Sequence, residues 1–357
     1  MKNKNRVLYL DIIRIIAILL VIFTHTGETG VKLYTVDYMP VSRISQLLAL
    51  MFDVIREINV PLFFMVSGAL MLKKTISYKD LFLKYILRYI FITTAVSYFY
   101  YVFYLNGAWY DFSSFFKSIY GSWIVYHLWF LYSYIGYLLM LPLLKSLANG
   151  MRKKDYIYFA IIGVLFKGGL HIVGVLMGLG EIGIKCAMVT DNVFYPIMGY
   201  FFGVVLSENE YVLSKIKTRI FVIASVICVF ANMCIVYWEK SVYGEFTENF
   251  LSALTVIPTL STFYLVRRIF SKCVCPEKIE IIIAWCGELT FGTYLVSVYI
   301  QTGKMLLLHE LLVQLMPRLP LVATILYVTA VWIVGMVITY MVKLVLNAGQ
   351  RIKSKCV

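Results

Sequence analysis

The chain has 357 residues, of which 61% are hydrophobic and 15% are charged, and its mean hydropathy is +0.82. Soluble globular domains carry about 25% charged residues, so this composition excludes a soluble enzyme, a disordered chain and a collagen-like fibre. The formal net charge of +14 would suggest nucleic-acid binding in a soluble protein. In a membrane protein, however, Lys and Arg collect in cytoplasmic loops, so we predict no nucleic-acid partner.

Apolar runs of about 20 residues recur along the whole chain, which is typical of a polytopic helical membrane protein. We predict an all-α transmembrane bundle of about ten helices that forms a single integral-membrane domain over residues 1–357. The basic N-terminus and the apolar run after it imitate a signal peptide, but Asp11 and Arg14 interrupt the run and no small-residue cleavage site follows. The predicted spans are 7–27, 45–72, 82–105, 122–145, 156–178, 191–207, 219–238, 249–270, 279–302 and 320–346.

The positions of the basic residues predict the orientation of this bundle. If the N-terminus is inside, 23 of the 33 Lys and Arg residues fall in the inner loops and 7 in the outer loops. Loops rich in Lys and Arg alternate along the chain with loops that have few, as expected when cytoplasmic loops retain positive charge. We therefore predict that both termini are cytoplasmic.

The second predicted span has an alternative interpretation. Asp53, Arg56 and Glu57 precede Pro61, whose ring can break a helix. The segment from Arg43 to Glu57 is therefore either part of a span or an amphipathic helix that lies in the membrane interface.

The first predicted span carries a polar stripe. Asp11 and Arg14 are three residues apart, so they share a helix face and can pair. Arg14 and His25 are eleven residues apart, which is close to three turns and roughly 16 Å along the axis. A charge inside a bilayer is costly unless it is paired or faces a cavity. The stripe indicates a site with a fixed cation at the inner side and an imidazole at the outer side, or else an orienting ion pair with an interfacial His.

Four segments of the chain carry a resemblance to a known family. The first contains Arg14, ten further residues and then His25. The other three are VPLFFMVSGALM at Val60–Met71, HLWFLYSYIGYLLMLPLL at His127–Leu144 and GELTFGTYLVSVYI at Gly287–Ile300. In this order the segments resemble acyltransferase family 3, a family of membrane proteins that acylate sugars and that has an Arg-x10-His signature. Where the late family motif often has His, however, this chain has Ser297.

The resemblance implies a multi-pass enzyme of the bacterial cell membrane. It would transfer an acyl group from acetyl-CoA or another acyl-CoA to a hydroxyl of a cell-surface or lipid-linked glycan. His25 would act as a general base, since an imidazole suits proton transfer at neutral pH, or would carry the acyl group covalently. We expect no metal cofactor. The residues expected to support His25 and Arg14 are Asp11, Glu28, His127, Trp129 and Tyr294. Glu28 is alternatively a solvated loop acid, and His127 is alternatively a hydrogen-bonded interfacial His.

Further residues are candidates for binding the acyl-CoA donor. Lys84 and Arg88 lie one turn apart at the inner end of the third span, where they would hold phosphates or simply be inner-loop charges. Arg14 would meet the same donor deeper in the membrane. Ser67 and Gly68 are small enough to admit the acyl-pantetheine arm, or they mark tight helix packing.

Two positions are expected to be structural. Lys167 and His171 share one face of the fifth span, and a buried Lys needs an acidic partner, for which we expect Glu288 or Asp11. Cys273 and Cys275 form a Cys-x-Cys pair with no second pair or His nearby, so we do not expect a zinc site.

Two other functions stay open at this point. The membrane domain of vancomycin-resistance serine racemases resembles the same family, and intramembrane charges also suit a transporter of a small molecule such as serine. The other alternative is a non-catalytic component of a glycan-export complex. That alternative gives no role to the polar stripe of Arg14 and His25.

Overall fold

The computed structural model describes residues 7–26, 43–177, 189–206, 217–243, 254–271, 273, 275–302, 309–315 and 319–355. These residues form helices and no strand, which confirms the predicted all-α class. In chain order the helices are α1 (Leu8–His25), α2 (Arg43–Arg56), α3 (Asn59–Met71), α4 (Tyr78–Phe103), α5 (Phe112–Gly121), α6 (Tyr126–Gly150), α7 (153–176), α8 (191–205), α9 (Thr218–Tyr243), α10 (Val256–Phe270), α11 (Glu277–Gln301), α12 (His309–Leu315) and α13 (Pro320–Lys355).

Seven of the described helices are long and apolar enough to cross a membrane, namely α1, α4, α6, α7, α9, α11 and α13. They correspond to the first, third, fourth, fifth, seventh, ninth and tenth predicted spans. The chain is therefore a multi-pass helical membrane protein. The count of ten spans and the side of each terminus stay predictions.

The second predicted span, 45–72, is not one continuous helix. The chain turns at Glu57 and Ile58, between α2 and α3. Pro61 explains the break, because proline lacks an N–H and fits only the first turn of a helix, where the N–H groups have no partner within that helix. The 13 residues of α3 extend only about 20 Å, less than the roughly 30 Å of a bilayer core.

The contacts divide the chain into two compact units. The first unit comprises Met1–Leu50 and Phe270–Val357. In it α1, α11 and α13 pack against one another. Part of this contact is a small apolar core of Cys286, Leu289 and Met336, against which Ile15 and Trp332 pack.

The second unit comprises Met51–Ile269 and is organised around the contact between α3 and α8. A Cβ atom added to Gly68 would lie 1.9 Å from the carbonyl oxygen of Pro196, and one added to Gly199 would lie 2.0 Å from that of Met65. Glycine therefore allows the two backbones to touch. Gly199, like Gly68, thus marks a close contact between helices.

Three helices of the second unit contain a widened, π-helical turn, at Leu81–Ile86 in α4, Val164–Gly169 in α7 and Phe201–Val205 in α8. Such turns shift the side chains around them and often occur at functional sites. The turn in α4 holds Lys84 and the turn in α7 holds Lys167.

Candidate functional site

The polar stripe of α1 lies in the first unit. The Arg14 Nη1 atom donates to Asp11 Oδ1 at 2.9 Å, which confirms the predicted pairing. The Asp11 side chain is only 2% exposed, whereas that of Arg14 is 29% exposed. A guanidinium has five N–H donors in a fixed planar arrangement, and this bond uses one of them. Arg14 can therefore hold a second anion while Asp11 fixes its position.

Helix α11 provides the space for the Asp11 carboxylate. A Cβ atom on Gly287 would lie 2.6 Å from Asp11 Oδ1, so a side chain at this position would displace the acid. The sequence placed Gly287 in a family-like segment but gave no reason for a glycine there. The reason is the approach of a charged side chain from α1.

His25 is the last residue of α1 and is buried. The helix tightens at this end, because the Thr26 N–H donates to the Phe23 carbonyl rather than to that of Ile22. The freed Ile22 carbonyl accepts a hydrogen bond from Gln301 Nε2 on α11 at 3.3 Å. An unsatisfied carbonyl of a helix end is thus paired inside the protein.

Gln301 is itself held in place. The Tyr327 hydroxyl of α13 donates to the Gln301 main-chain carbonyl at 3.2 Å, and both residues are fully buried. Sequence reasoning missed both of them. The available signal was a glutamine at the very end of a predicted apolar span, where burial requires a hydrogen-bond partner.

The remaining predicted residues of the first unit are placed as follows. Tyr294 is buried in α11, and the fully buried Ser297 hydroxyl donates to the Tyr294 carbonyl at 3.0 Å. Ser297, which stands where relatives often have His, thus bonds to its own helix. The supporting role of Tyr294 stays a prediction, and Glu28 lies outside the described residues.

His127 and Trp129 lie in the second unit, at the start of α6. The His127 side chain is buried, and its ring centroid is 5.0 Å from that of Tyr100 on α4, in an edge-to-face arrangement. Trp129 is half-buried and its ring contacts that of Phe130 edge-on. Their supporting roles stay predictions.

The small residues of α3 divide between two environments. Gly68 lies against the backbone of α8, so the space beside it is filled. This favours tight helix packing over an acyl channel at that position. Ser67 is half-buried, and its hydroxyl donates to the Phe63 carbonyl at 2.9 Å. Contact of Ser67 with an acyl arm stays a prediction.

The predicted phosphate anchors are on the surface of the second unit. Lys84 Nζ lies 2.9 Å from Asp80 Oδ1, and the Lys84 side chain is 70% exposed. Arg88, one turn further along α4, is also exposed. Both cations are accessible, and part of the Lys84 charge is balanced by Asp80. Phosphate binding by these residues stays a prediction.

The partner expected for Lys167 was wrong. Lys167 Nζ lies 2.5 Å from Asp191 Oδ1, between α7 and α8. Asp11 binds Arg14 instead, and Glu288 binds Lys343 of α13. The side chain of His171 lies outside the described residues.

Within the described part of the chain, no group of three or more His, Cys, Asp or Glu side chains is placed to hold a metal ion. The sulfurs of Cys273 and Cys275 lie 3.6 Å apart. Their hydrogen bond raises the pKa of the Cys275 thiol, which makes the reactive thiolate less available at neutral pH.

The helices and the stripe of α1 define a multi-pass membrane protein with charged groups inside its apolar spans. The acyltransferase 3 family model, described as an acyltransferase domain, matches residues 7–342. The chain therefore belongs to acyltransferase family 3. No curated protein and no solved structure matches it.

Proposed function

We propose that the protein is a membrane O-acyltransferase that transfers an acyl group from acyl-CoA to a hydroxyl of a cell-surface or lipid-linked glycan. The observation that carries the proposal is the geometry of α1. This helix carries a partly exposed Arg14 near one end and a buried His25 at the other. The two lie roughly 16 Å apart along the axis, about half the thickness of a bilayer core.

The imidazole of His25 supplies the proton transfer that the reaction needs. Neutral His25 takes the proton from the acceptor hydroxyl while the oxygen of that hydroxyl attacks the carbonyl carbon of the thioester. The carbon–sulfur bond then breaks, the acyl group stays on the acceptor oxygen, and the proton passes to the sulfur of CoA. The products are an ester and free CoA, and His25 returns to its neutral form.

Arg14 is proposed to hold an anionic group of the donor. Asp11 keeps the guanidinium in one orientation by a 2.9 Å hydrogen bond, and Gly287 keeps Asp11 in place. An arginine fork binds two oxygens of a phosphate at once, which a lysine does not. Lys84 and Arg88 are proposed as further phosphate anchors because both are exposed cations.

The test is acyl transfer by purified protein in lipid nanodiscs, with acetyl-CoA and a set of candidate glycans. His25→Ala should lower the transfer rate about 10²–10⁴-fold, the usual contribution of general-base catalysis, with unchanged acetyl-CoA affinity. Thr329→Ala, whose hydroxyl bonds its own helix α13, is the control and should keep full activity. Near-normal transfer by folded His25→Ala would overturn the proposal.

The role of Arg14 is tested separately. Arg14→Ala should weaken acetyl-CoA binding, and Arg14→Lys should restore it only in part. If Arg14 merely neutralises Asp11, the double variant Asp11→Asn/Arg14→Gln should bind acetyl-CoA and transfer acyl groups normally. That result would reduce the pair to a structural role.

Transport of serine is the rival function. Uptake of radiolabelled serine into proteoliposomes, without consumption of acetyl-CoA, would contradict the acyltransferase proposal. Consumption of acetyl-CoA that depends on the glycan and on His25 supports it.

We further propose that both termini are cytoplasmic, in the cell membrane of a bacterium. Single cysteines placed near Met1 and near Lys353 in a cysteine-free background should be protected from an impermeant thiol reagent, whereas one near Glu245 should be labelled. Labelling of the two termini from opposite sides would contradict this orientation.

A further inference from the structure

The ion pair of Lys167 and Asp191 takes no part in the reaction proposed at His25. It joins α7 to α8 within the second unit, with 2.5 Å between Lys167 Nζ and Asp191 Oδ1. The same Nζ atom lies 5.5 Å from the ring centroid of the fully buried Tyr195. The attraction of a cation to an aromatic face adds to the ion pair in holding the lysine.

The lysine of this pair lies near the middle of the predicted span 156–178. It is eleven residues from either end of that span, which places it roughly 16 Å along the axis of a core about 30 Å thick. The basic residues predict that Lys153 is on the inner side. Asp191 begins α8, which by the same prediction enters from the outer side.

The pair is not sealed inside the protein. The side chains of Lys167 and Asp191 are 25% and 33% exposed. Lipid tails offer no hydrogen bonds, so charged groups in a membrane face a partner or a polar cavity. The bond between them uses one of three ammonium donors and one of about four carboxylate acceptor positions, so both groups can bind a further ligand.

A neighbouring irregularity of the helix supports a functional site. Lys167 lies in the π-helical turn Val164–Gly169, and such turns are frequent at functional sites.

We propose that Lys167 and Asp191 form a subsite for a neutral polyhydroxy ligand, such as two neighbouring hydroxyls of a sugar. The carboxylate accepts a hydrogen bond from one hydroxyl, and the ammonium donates to the oxygen of the other. A neutral diol binds both groups and adds no net charge inside the membrane, whereas a charged ligand would add an unbalanced charge there. This subsite rests on the proposed function and identifies residues that recognise its acceptor.

The direct test is binding of neutral oligosaccharides of glucose, galactose, mannose and N-acetylglucosamine to purified protein, followed by saturation-transfer NMR. Lys167→Met and Asp191→Asn should each weaken binding of the best sugar about 10-fold or more, as expected for a hydrogen bond to a charged group. The control variants Lys343→Met and Glu288→Gln disrupt a different lysine–acid pair between helices and should leave sugar binding unchanged.

A charge swap separates recognition from structure. Lys167→Asp combined with Asp191→Lys restores an ion pair but exchanges the donor and acceptor positions. The swapped protein should regain the thermal stability lost in either single variant, while sugar binding stays weak. Recovery of both properties would overturn the proposal, as would failure of every oligosaccharide to bind the wild-type protein.

The outcome can be told apart from failure of the proposed function. His25→Ala should bind the sugar normally and fail in transfer. If sugar binding depends on Lys167 but no acyl group is transferred, the subsite stands and the acyltransferase proposal fails. If transfer occurs with an unchanged acceptor KM in folded Lys167→Met, the subsite fails and the acyltransferase stands.

Discussion

Glycines allow close approach at several helix contacts of the described chain, and two of these contacts, one in each unit, differ in kind. Between α3 and α8, Gly68 and Gly199 each meet the backbone of the opposite helix. Between α1 and α11, Gly287 meets the side chain of Asp11. A backbone inside two packed helices cannot move away, whereas a side chain can rotate. The first contact therefore determines whether the helices pack at all, and the second determines where a charge is placed.

The largest loss of stability is expected from a substitution at the backbone contact between α3 and α8. Gly68→Ala would place a methyl group 1.9 Å from the Pro196 carbonyl oxygen, and we expect a loss of about 3 kcal/mol, the upper end for overpacking. The unfolding midpoint in detergent measures it. Gly150→Ala, at the end of α6 with nothing within 4 Å of the added methyl, is the control and should change little. Equal midpoints for both variants would contradict the backbone contact.

The next effect concerns the end of α1. Gln301→Leu removes the donor to the buried Ile22 carbonyl, and leaving an acceptor unpaired costs about 1–3 kcal/mol. Because His25 lies three residues beyond Ile22, the transfer rate should fall while acetyl-CoA affinity is kept. Gln314→Leu, at an exposed position of α12, is the control. A stability loss without any change in transfer would show that Gln301 does not position His25.

A smaller effect is expected at Gly287. Gly287→Ala displaces the Asp11 carboxylate, which should lower the free energy of unfolding by about 1–3 kcal/mol. The higher helix propensity of alanine offsets about 1 kcal/mol of this loss. In an Asp11→Ala background the same change should cost less, since the clashing atoms are gone. A double-mutant cycle of unfolding free energies measures this coupling. Strictly additive values would contradict the contact.

The smallest effect is expected outside the spans, at the start of α5. Hydrogen bonds from the Ser114 side chain and backbone lower the pKa of Asp111. The helix cap is therefore fully present above the ordinary carboxyl pKa of about 4 and is lost as pH falls through the lowered value. Amide exchange at Ser114, corrected for its intrinsic pH dependence, should accelerate only in that acidic range.

Asp111→Asn is the matched variant for this cap. Asparagine also caps a helix but does not titrate, so protection of the Ser114 amide should stay constant through the same pH range. Loss of protection at neutral pH in the wild-type protein would contradict the cap.

Several features followed from the sequence by itself. The apolar runs predicted helices, because a backbone in lipid must satisfy its hydrogen bonds internally. The pairing of Asp11 with Arg14 followed from their spacing on one helix. Pro61 indicated where a helix over the second predicted span, 45–72, would break. All of these depend on residues that are close in the chain.

Other features were decided only by tertiary structure. Lys167 pairs with Asp191 rather than with Glu288 or Asp11. Gln301 donates a hydrogen bond to the Ile22 carbonyl, 279 residues away in the chain. Helical periodicity states which face a residue occupies, but it does not state which helix lies opposite or at what height. Partner choice between helices depends on packing, which glycines such as Gly287 permit at one place and side chains prevent elsewhere.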